Sequence, residues 1–250
     1  MNYLSQLQLY PDFSHIDLNK QIYYELVSHF NDYEKIENYF DLKIFSCIDD
    51  EIERLCYLKN MAKEVLTCRG NTLSERKYDH LNYLSIIEMA NRNGDELNCR
   101  YKSFVFSQLL MACGFKSRWV GCLSMDIDDQ ECHCVTEVYL KKLKKWVAVD
   151  ISFDYLYFDS KGMLLNLMEI RNNMVSGDKV KFISKNKSAA LDTRRYLEKN
   201  LFMFRFLSFY KYNMTIDSAE NVLLYPEHYC IDYCKTRKYS YITTNASPFW

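Results

Sequence analysis

Glycine and proline are scarce, at six and three in 250 residues. That leaves no room for a flexible or polyproline linker, and there is no internal repeat or low-complexity tract. Long apolar runs are missing too: none approaches the ~20 residues of a membrane span, so no membrane partner is expected. Neither sign of charge is in excess, with 32 basic and 33 acidic residues and a formal net charge of −1. A dedicated nucleic-acid binder carries a basic field, so nucleic acid is not expected as a partner. The start, Met1-Asn2-Tyr3-Leu4-Ser5-Gln6, lacks the basic and then apolar segments of a secretion signal. A cytoplasmic setting follows, in which the ten cysteines are reduced thiols rather than a disulfide framework. What is present, 48% hydrophobic and 26% charged residues, is the balance of a globular chain of one large or two small domains.

The chemistry is concentrated between Asn98 and Asp150. Gly94-Asp95-Glu96-Leu97-Asn98 reads as a loop feeding a helix, with Asn98 as its N-cap. Cys99 then falls in the first turn, where unsatisfied N–H groups and the helix dipole favour a thiolate. An ordinary cysteine titrates near roughly 8.5, and such a position can bring it to about 3.5–7.5. The run from Tyr101 to Ala112 is apolar on most faces, which predicts a buried central helix ending at Gly114.

Three strand-like runs follow: Ser117 to Ser124, Cys132 to Leu140 and Lys145 to Ile151. Residues 141–144 make a four-residue hairpin loop. Pairing Leu140 with Lys145 sets Val135 opposite Asp150 and puts His133, Val135 and Asp150 on one face. His133 and Asp150 become diagonal neighbours, about 7–8 Å apart between backbones, within side-chain reach. A cysteine, a histidine and an aspartate on successive elements are the material of a nucleophile, a base and an orienter.

Elsewhere the pattern is of support. Helices are predicted over Leu18 to Phe30, Asp50 to Thr67 and Leu81 to Asn91, with further helices over Gly162 to Val175 and Ser188 to Phe202. Lys179 to Ile183, Phe202 to Tyr212, Asn221 to Tyr225 and Tyr239 to Thr243 read as strands that complete an antiparallel sheet. Residues 1–75 are expected to form a helical layer without chemistry, and 76–250 the core with its C-terminal strands, in one compact unit. The lysine-rich hairpin tip reads as a solvated turn, and Arg118 as a structural residue.

Several of these pieces together resemble the transglutaminase-like superfamily, a branch of the papain-like cysteine enzymes, in a stand-alone, bacterial-type form. They are Asn98-Cys99-Arg100-Tyr101-Lys102-Ser103, the turn Cys113-Gly114-Phe115-Lys116-Ser117-Arg118, His133 followed by Glu137-Val138-Tyr139, and Trp146 ahead of Asp150. The resemblance covers roughly Leu81 to Asp159. Val135 and Ser103 depart from the aromatic residue and the alanine that the superfamily often has there. The resemblance implies an α+β, papain-like fold, with a nucleophile helix packed on an antiparallel sheet. It implies an amide substrate, a protein or peptide, attacked by Cys99 with His133 as base and Asp150 as its orienter. It leaves open whether water or an amine resolves the thioester.

The alternative reading is a catalytically silent peptide-binding or scaffold module on the same fold. A de-glycosylating amidase, a third possibility, would be expected beside paired zinc-binding cysteine motifs, which are not apparent. No cofactor is expected. No metal is expected either: Cys132 and Cys134 point to one face of their strand and His133 to the other, and Asp126-Ile127-Asp128-Asp129 lacks the glycine and terminal glutamate of a calcium loop.

Overall fold

The architecture is described from a computed structural model, which covers residues 2–15, 36–37, 39–67, 72–73, 77–183 and 190–250. The helices are α1 (Tyr3–Leu9), α2 (Glu51–Thr67), α3 (Tyr83–Asn93), α4 (Cys99–Ala112), α5 (Leu167–Ser176) and α6 (Ala190–Asn200). A short parallel pair, β1 (Thr72–Leu73) and β2 (Asp95–Glu96), lies just before α4. The remaining strands are β3 (Lys116–Leu123), β4 (His133–Leu140), β5 (Lys145–Asp150), β6 (Tyr155–Phe158), β7 (Lys181–Ile183), β8 (Met203–Leu207), β9 (Asn221–Leu224) and β10 (Tyr241–Thr243). They form one eight-stranded sheet in the order β10-β9-β8-β3-β4-β5-β6-β7. This is the α+β architecture that the resemblance implies. No helix among the described residues is long and apolar enough to cross a membrane.

Both faces of the sheet are covered, which explains why its central strands read as nearly continuous apolar runs. Trp119, Cys134, Val138, Val147 and Val149 pack under α4, with α2 and α3 outside it. Val120, Cys122, Val135, Ala148 and Tyr157 face the opposite way, into a second cluster with Leu167, Ile170, Leu197, Phe204 and Phe249. Every residue of α4 from Tyr101 to Ala112 is buried. At about 1.5–3 kcal/mol for each large apolar side chain removed from water, α4 is held by its surroundings far more than by its own propensity.

The ends of α4 are specified locally. Asn98 Oδ1 accepts a hydrogen bond from the Tyr101 N–H at 3.2 Å. At the other end Gly114 takes φ 85°. The Gly114 N–H donates to Met111 O and the Phe115 N–H to Leu110 O, the paired bonds of a Schellman ending. Two hydroxyls bolt the helix to the sheet: Ser103 Oγ donates to Cys134 O and Ser117 Oγ donates to Ser107 O, both at 2.6 Å. Ser103 thus has a job that an alanine could not do.

The β4–β5 hairpin has the expected register, Leu140 opposite Lys145. Its tip is not merely a solvated turn. The Lys141 and Lys142 N–H groups both donate to the Glu51 carboxylate, each at 3.0 Å, and Lys142 Nζ meets Asp50 at 2.7 Å. The hairpin is docked on the first turn of α2, where acidic side chains also suit the helix dipole.

Other expectations are corrected. β10 runs parallel to β9, because the chain crosses back after a 3-10 excursion at Tyr233–Thr236 before it adds the edge strand. The helix predicted from Gly162 begins only at Leu167: Asn166 and Glu169 form a capping box there, and Leu165 is still bonded to Tyr157 in a strand-like path. β8 stops at Leu207, where the chain turns and the Ser208 N–H reaches Glu220 O. α1 is unanticipated, since seven residues are too few to show a helical stripe; it packs on α5 and α6. The helix predicted over Leu18 to Phe30 and the predicted start, at Ser188, of the helix that runs to Phe202 lie outside the described residues.

Arg118 is structural. It is wholly buried and pairs with Glu137 through Nε at 2.9 Å and a second nitrogen at 2.5 Å. Its guanidinium also stacks on Trp146, Phe206 and Trp250. The other Glu137 oxygen accepts from the Leu167 N–H at 2.8 Å and the Trp250 indole at 3.0 Å. One carboxylate therefore joins β3, β4, the start of α5 and Trp250.

Candidate active site

Three elements end at the same place: α4 begins with Cys99, β4 begins with His133, and β5 ends with Asp150. The loop before α4 is fastened so that its first residue is fixed. The Tyr101 hydroxyl accepts from the Tyr78 N–H at 2.8 Å, Arg100 pairs with Asp79 at 2.9 Å, and Lys102 with Glu96 at 3.1 Å.

Asp150 is fully buried and saturated with donors. Oδ1 accepts from the N–H groups of Ser152 and Phe153, both at 3.0 Å. Oδ2 accepts from the Tyr157 hydroxyl at 3.0 Å and lies 2.6 Å from His133 Nε2. Burial opposes the charged carboxylate, but the imidazolium charge and these donors overrule it and hold Asp150 below its ordinary value.

His133 is boxed in. The Phe153 ring lies 4.9 Å from it at a tilt, and the Tyr196 ring meets it edge-on at 5.3 Å. The Tyr196 hydroxyl donates to Cys132 O at 3.1 Å, which ties α6 to the start of β4. Burial alone would drive the ring neutral. The Asp150 carboxylate outweighs it, with a smaller contribution from Cys99, and His133 is raised to about 10. With Nε2 committed to Asp150, Nδ1 is the nitrogen left for the thiol.

Cys99 is partly buried, with Sγ 3.8 Å from Cys132 O. Its thiol is held down to about 4, chiefly by a hydrogen bond from the Cys134 thiol and next by the hydrogen bond and charge of His133, against the opposing effect of burial. Cys134 is buried and its own thiol is pushed up by desolvation, so it stays protonated as a donor. The neighbouring Cys134 thiol is also the main reason why the Cys132 thiol is lowered to about 6, its single proton serving one sulfur at a time. Cys99 and His133 thus favour a thiolate beside an imidazolium across the neutral range. The Cys99 N–H, at the first helical position, has no carbonyl partner within the helix.

The sequence-predicted residues Cys99, His133 and Asp150 come together. Sequence reasoning missed Tyr157, Phe153, Tyr196 and Cys134. Tyr157 was accessible in principle: Asp150 pairs with Tyr155, so Tyr157 lies diagonal to Asp150 on the same face. Tyr196 arrives from a helix remote in sequence and left no signal.

A family model described as the transglutaminase-like superfamily matches residues 43–151, taking in α2 and α3 as well as all three site residues. A solved structure from Cytophaga hutchinsonii, described as a candidate cysteine protease, is similar at 12% identity and a TM-score of 0.37, over 71% of this chain and 62% of that one. This chain therefore spans less than two thirds of that protein's length. No curated protein matches the chain. The stretch that is similar to the transglutaminase-like superfamily, residues 43–151, takes in less than half of the chain.

Proposed function

We propose that the protein is a cysteine-dependent acyl-transfer enzyme acting on an amide, a peptide bond or a glutamine side chain, with Cys99 as nucleophile. The observation that carries this reading is the short Asp150–His133 contact, 2.6 Å, inside a saturated carboxylate site, with Cys99 Sγ 3.8 Å from the oxygen of Cys132, the residue before His133.

The Cys99 thiolate attacks the amide carbonyl carbon, and the carbonyl electron pair moves onto oxygen, where the Cys99 N–H can receive it. The C–N bond breaks as His133 gives its proton to the leaving amine, and a thioester remains on Cys99. His133, now neutral, takes a proton from water or from an acceptor amine, which attacks the thioester and frees the thiolate. Asp150 keeps the Nε2 proton in place and supports the imidazolium; Tyr157 holds Asp150. Each step balances without a cofactor.

The test is the alkylation rate of every cysteine against pH, followed by mass spectrometry, in the wild type and in His133→Ala. Cys99 reacts fastest from about pH 5 upward in the wild type and loses that advantage in the variant. A Cys99 no faster than the exposed Cys47, Cys230 or Cys234 sinks the reading and leaves the silent binding module in its place.

A further inference from the structure

Cross-strand register sets Arg205 on β8 opposite Gly121 on β3, and Gly121 opposite Cys134 on β4. Partners in a ladder share a face, so Arg205, Gly121 and Cys134 form one row on the face that carries α4, two strand spacings or about 10 Å from end to end. Cys134 is the thiol bonded to Cys99.

The middle of that row is empty because residue 121 is glycine. A Cβ there would stand 3.1 Å from Arg205 Nε and 3.2 Å from Arg205 Cβ, so the arginine side chain lies across the glycine. Its guanidinium is seated 4.7 Å over the Trp119 ring. Arg100, the residue after Cys99, approaches the same ring at 5.9 Å, but it is already paired with Asp79. Arg205 has no such partner: among the described residues no carboxylate pairs with it, and its Nε is buried without an acceptor. The side chain as a whole is partly exposed. A buried guanidinium N–H without an acceptor leaves a strong donor unsatisfied. Its positive charge already bears on the Cys132 thiol beside the nucleophile.

We propose that Arg205, laid over Gly121, is a specificity-determining residue that receives a carboxylate of the substrate close to the amide attacked by Cys99. The planar guanidinium suits a carboxylate, and the Trp119 stack fixes its orientation in advance. The carboxylate is either an acidic side chain or the C-terminal group of a peptide. The inference rests on Cys99 as nucleophile, so the experiment separates the two claims.

The probes are iodoacetate and iodoacetamide, of nearly equal shape, which differ in carrying a carboxylate or a neutral amide. In both cases the Cys99 thiolate displaces iodide. His133 favours the anion in every variant, so the readout is the ratio of the two rates at Cys99. That ratio falls about threefold or more in Arg205→Gln and holds in Arg205→Lys, the size of one nearby charge in a partly screened site. A ratio unchanged in Arg205→Gln overturns the subsite while Cys99 stands. A wild-type Cys99 that reacts with neither reagent ahead of the other thiols overturns both.

A second arm uses the wild type alone, and decides if Arg205→Gln does not fold. Acetyl-glutamate amide presents a side-chain carboxylate, acetyl-glutamine a main-chain one, and acetyl-glutamine amide neither. Protection of Cys99 from iodoacetamide by one or both of the anionic compounds, and not by the neutral one, supports the subsite and identifies the source. Equal effects of all three refute it.

Discussion

Replacing Asp150 by asparagine changes one atom's hydrogen-bonding sign, and the surroundings dictate where the change falls. Oδ1 of Asp150 accepts two backbone N–H bonds, from Ser152 and Phe153. An asparagine must keep its oxygen there, because an NH2 group in that place would face two donors. The NH2 group is then forced into the Oδ2 position, toward His133 Nε2 and the Tyr157 hydroxyl. Nε2 must give up its proton and accept, which places the neutral ring's proton on Nδ1, the nitrogen that has to take a proton from Cys99. The imidazolium also loses its counter-charge. Breaking a buried pair of this kind costs about 3–5 kcal/mol, and each pKa unit is worth about 1.4 kcal/mol. His133 therefore falls from about 10 toward its ordinary value near 6.5. Cys99, held at about 4 in part by that ring, rises by about two units or more. The alkylation profile of Cys99 in Asp150→Asn should thus have its midpoint above about pH 6, and any acyl-transfer rate should drop by about 10³- to 10⁴-fold, the size that a wrong histidine tautomer carries in a triad. The assay is Cys99-resolved alkylation from pH 3 to 10 with thermal melting in parallel. A midpoint still near 4 in a folded variant would refute the reasoning that Asp150 acts through His133.

The wild-type pH profile has its own expected form. Cys99 lies far below an ordinary thiol and His133 far above an ordinary imidazole, so acyl transfer should be lost on the acid side as Cys99 protonates near 4. On the alkaline side it should be lost near 10 as His133 gives up its acidic proton, which rates on an activated ester will check. Glu137→Ala strands the buried Arg118 guanidinium and frees the Leu167 and Trp250 donors; a loss of about 3–5 kcal/mol in denaturant unfolding is expected. Ser103→Ala removes the bolt to Cys134 O and should cost about 1 kcal/mol in the same measurement. Gly121→Ala pushes a Cβ to 3.1 Å from Arg205 Nε, so it should lower the iodoacetate-to-iodoacetamide ratio at Cys99 with Arg205 itself untouched.

What was legible in the sequence was local. Asn98 caps α4, Gly114 ends it, and a four-residue loop fixes the β4–β5 register, all within a few residues of the features they specify. The hairpin register alone carries His133 and Asp150 to one face. What was not legible depends on pairings between distant segments. The parallel placement of β10 and the row that joins Arg205 to Cys134 come from ladders between strands far apart in the chain, and no periodicity encodes their register. Tyr196 reaches His133 from α6 by packing alone. Cys132 and Cys134 were visible as thiols on one face, but the effect of Cys134 on Cys99 appears only when α4 is laid against β4.

Acylation of Cys99 is the step on which the proposed function stands. It is tested most directly by mixing the protein with p-nitrophenyl acetate, quenching in acid within the first turnover, and locating the added acetyl group by mass spectrometry. One acetyl is expected on the peptide that carries Cys99, absent in Cys99→Ser and formed far more slowly in His133→Ala. An acetyl group distributed among the exposed thiols, or one that survives unchanged in Cys99→Ser, would contradict it.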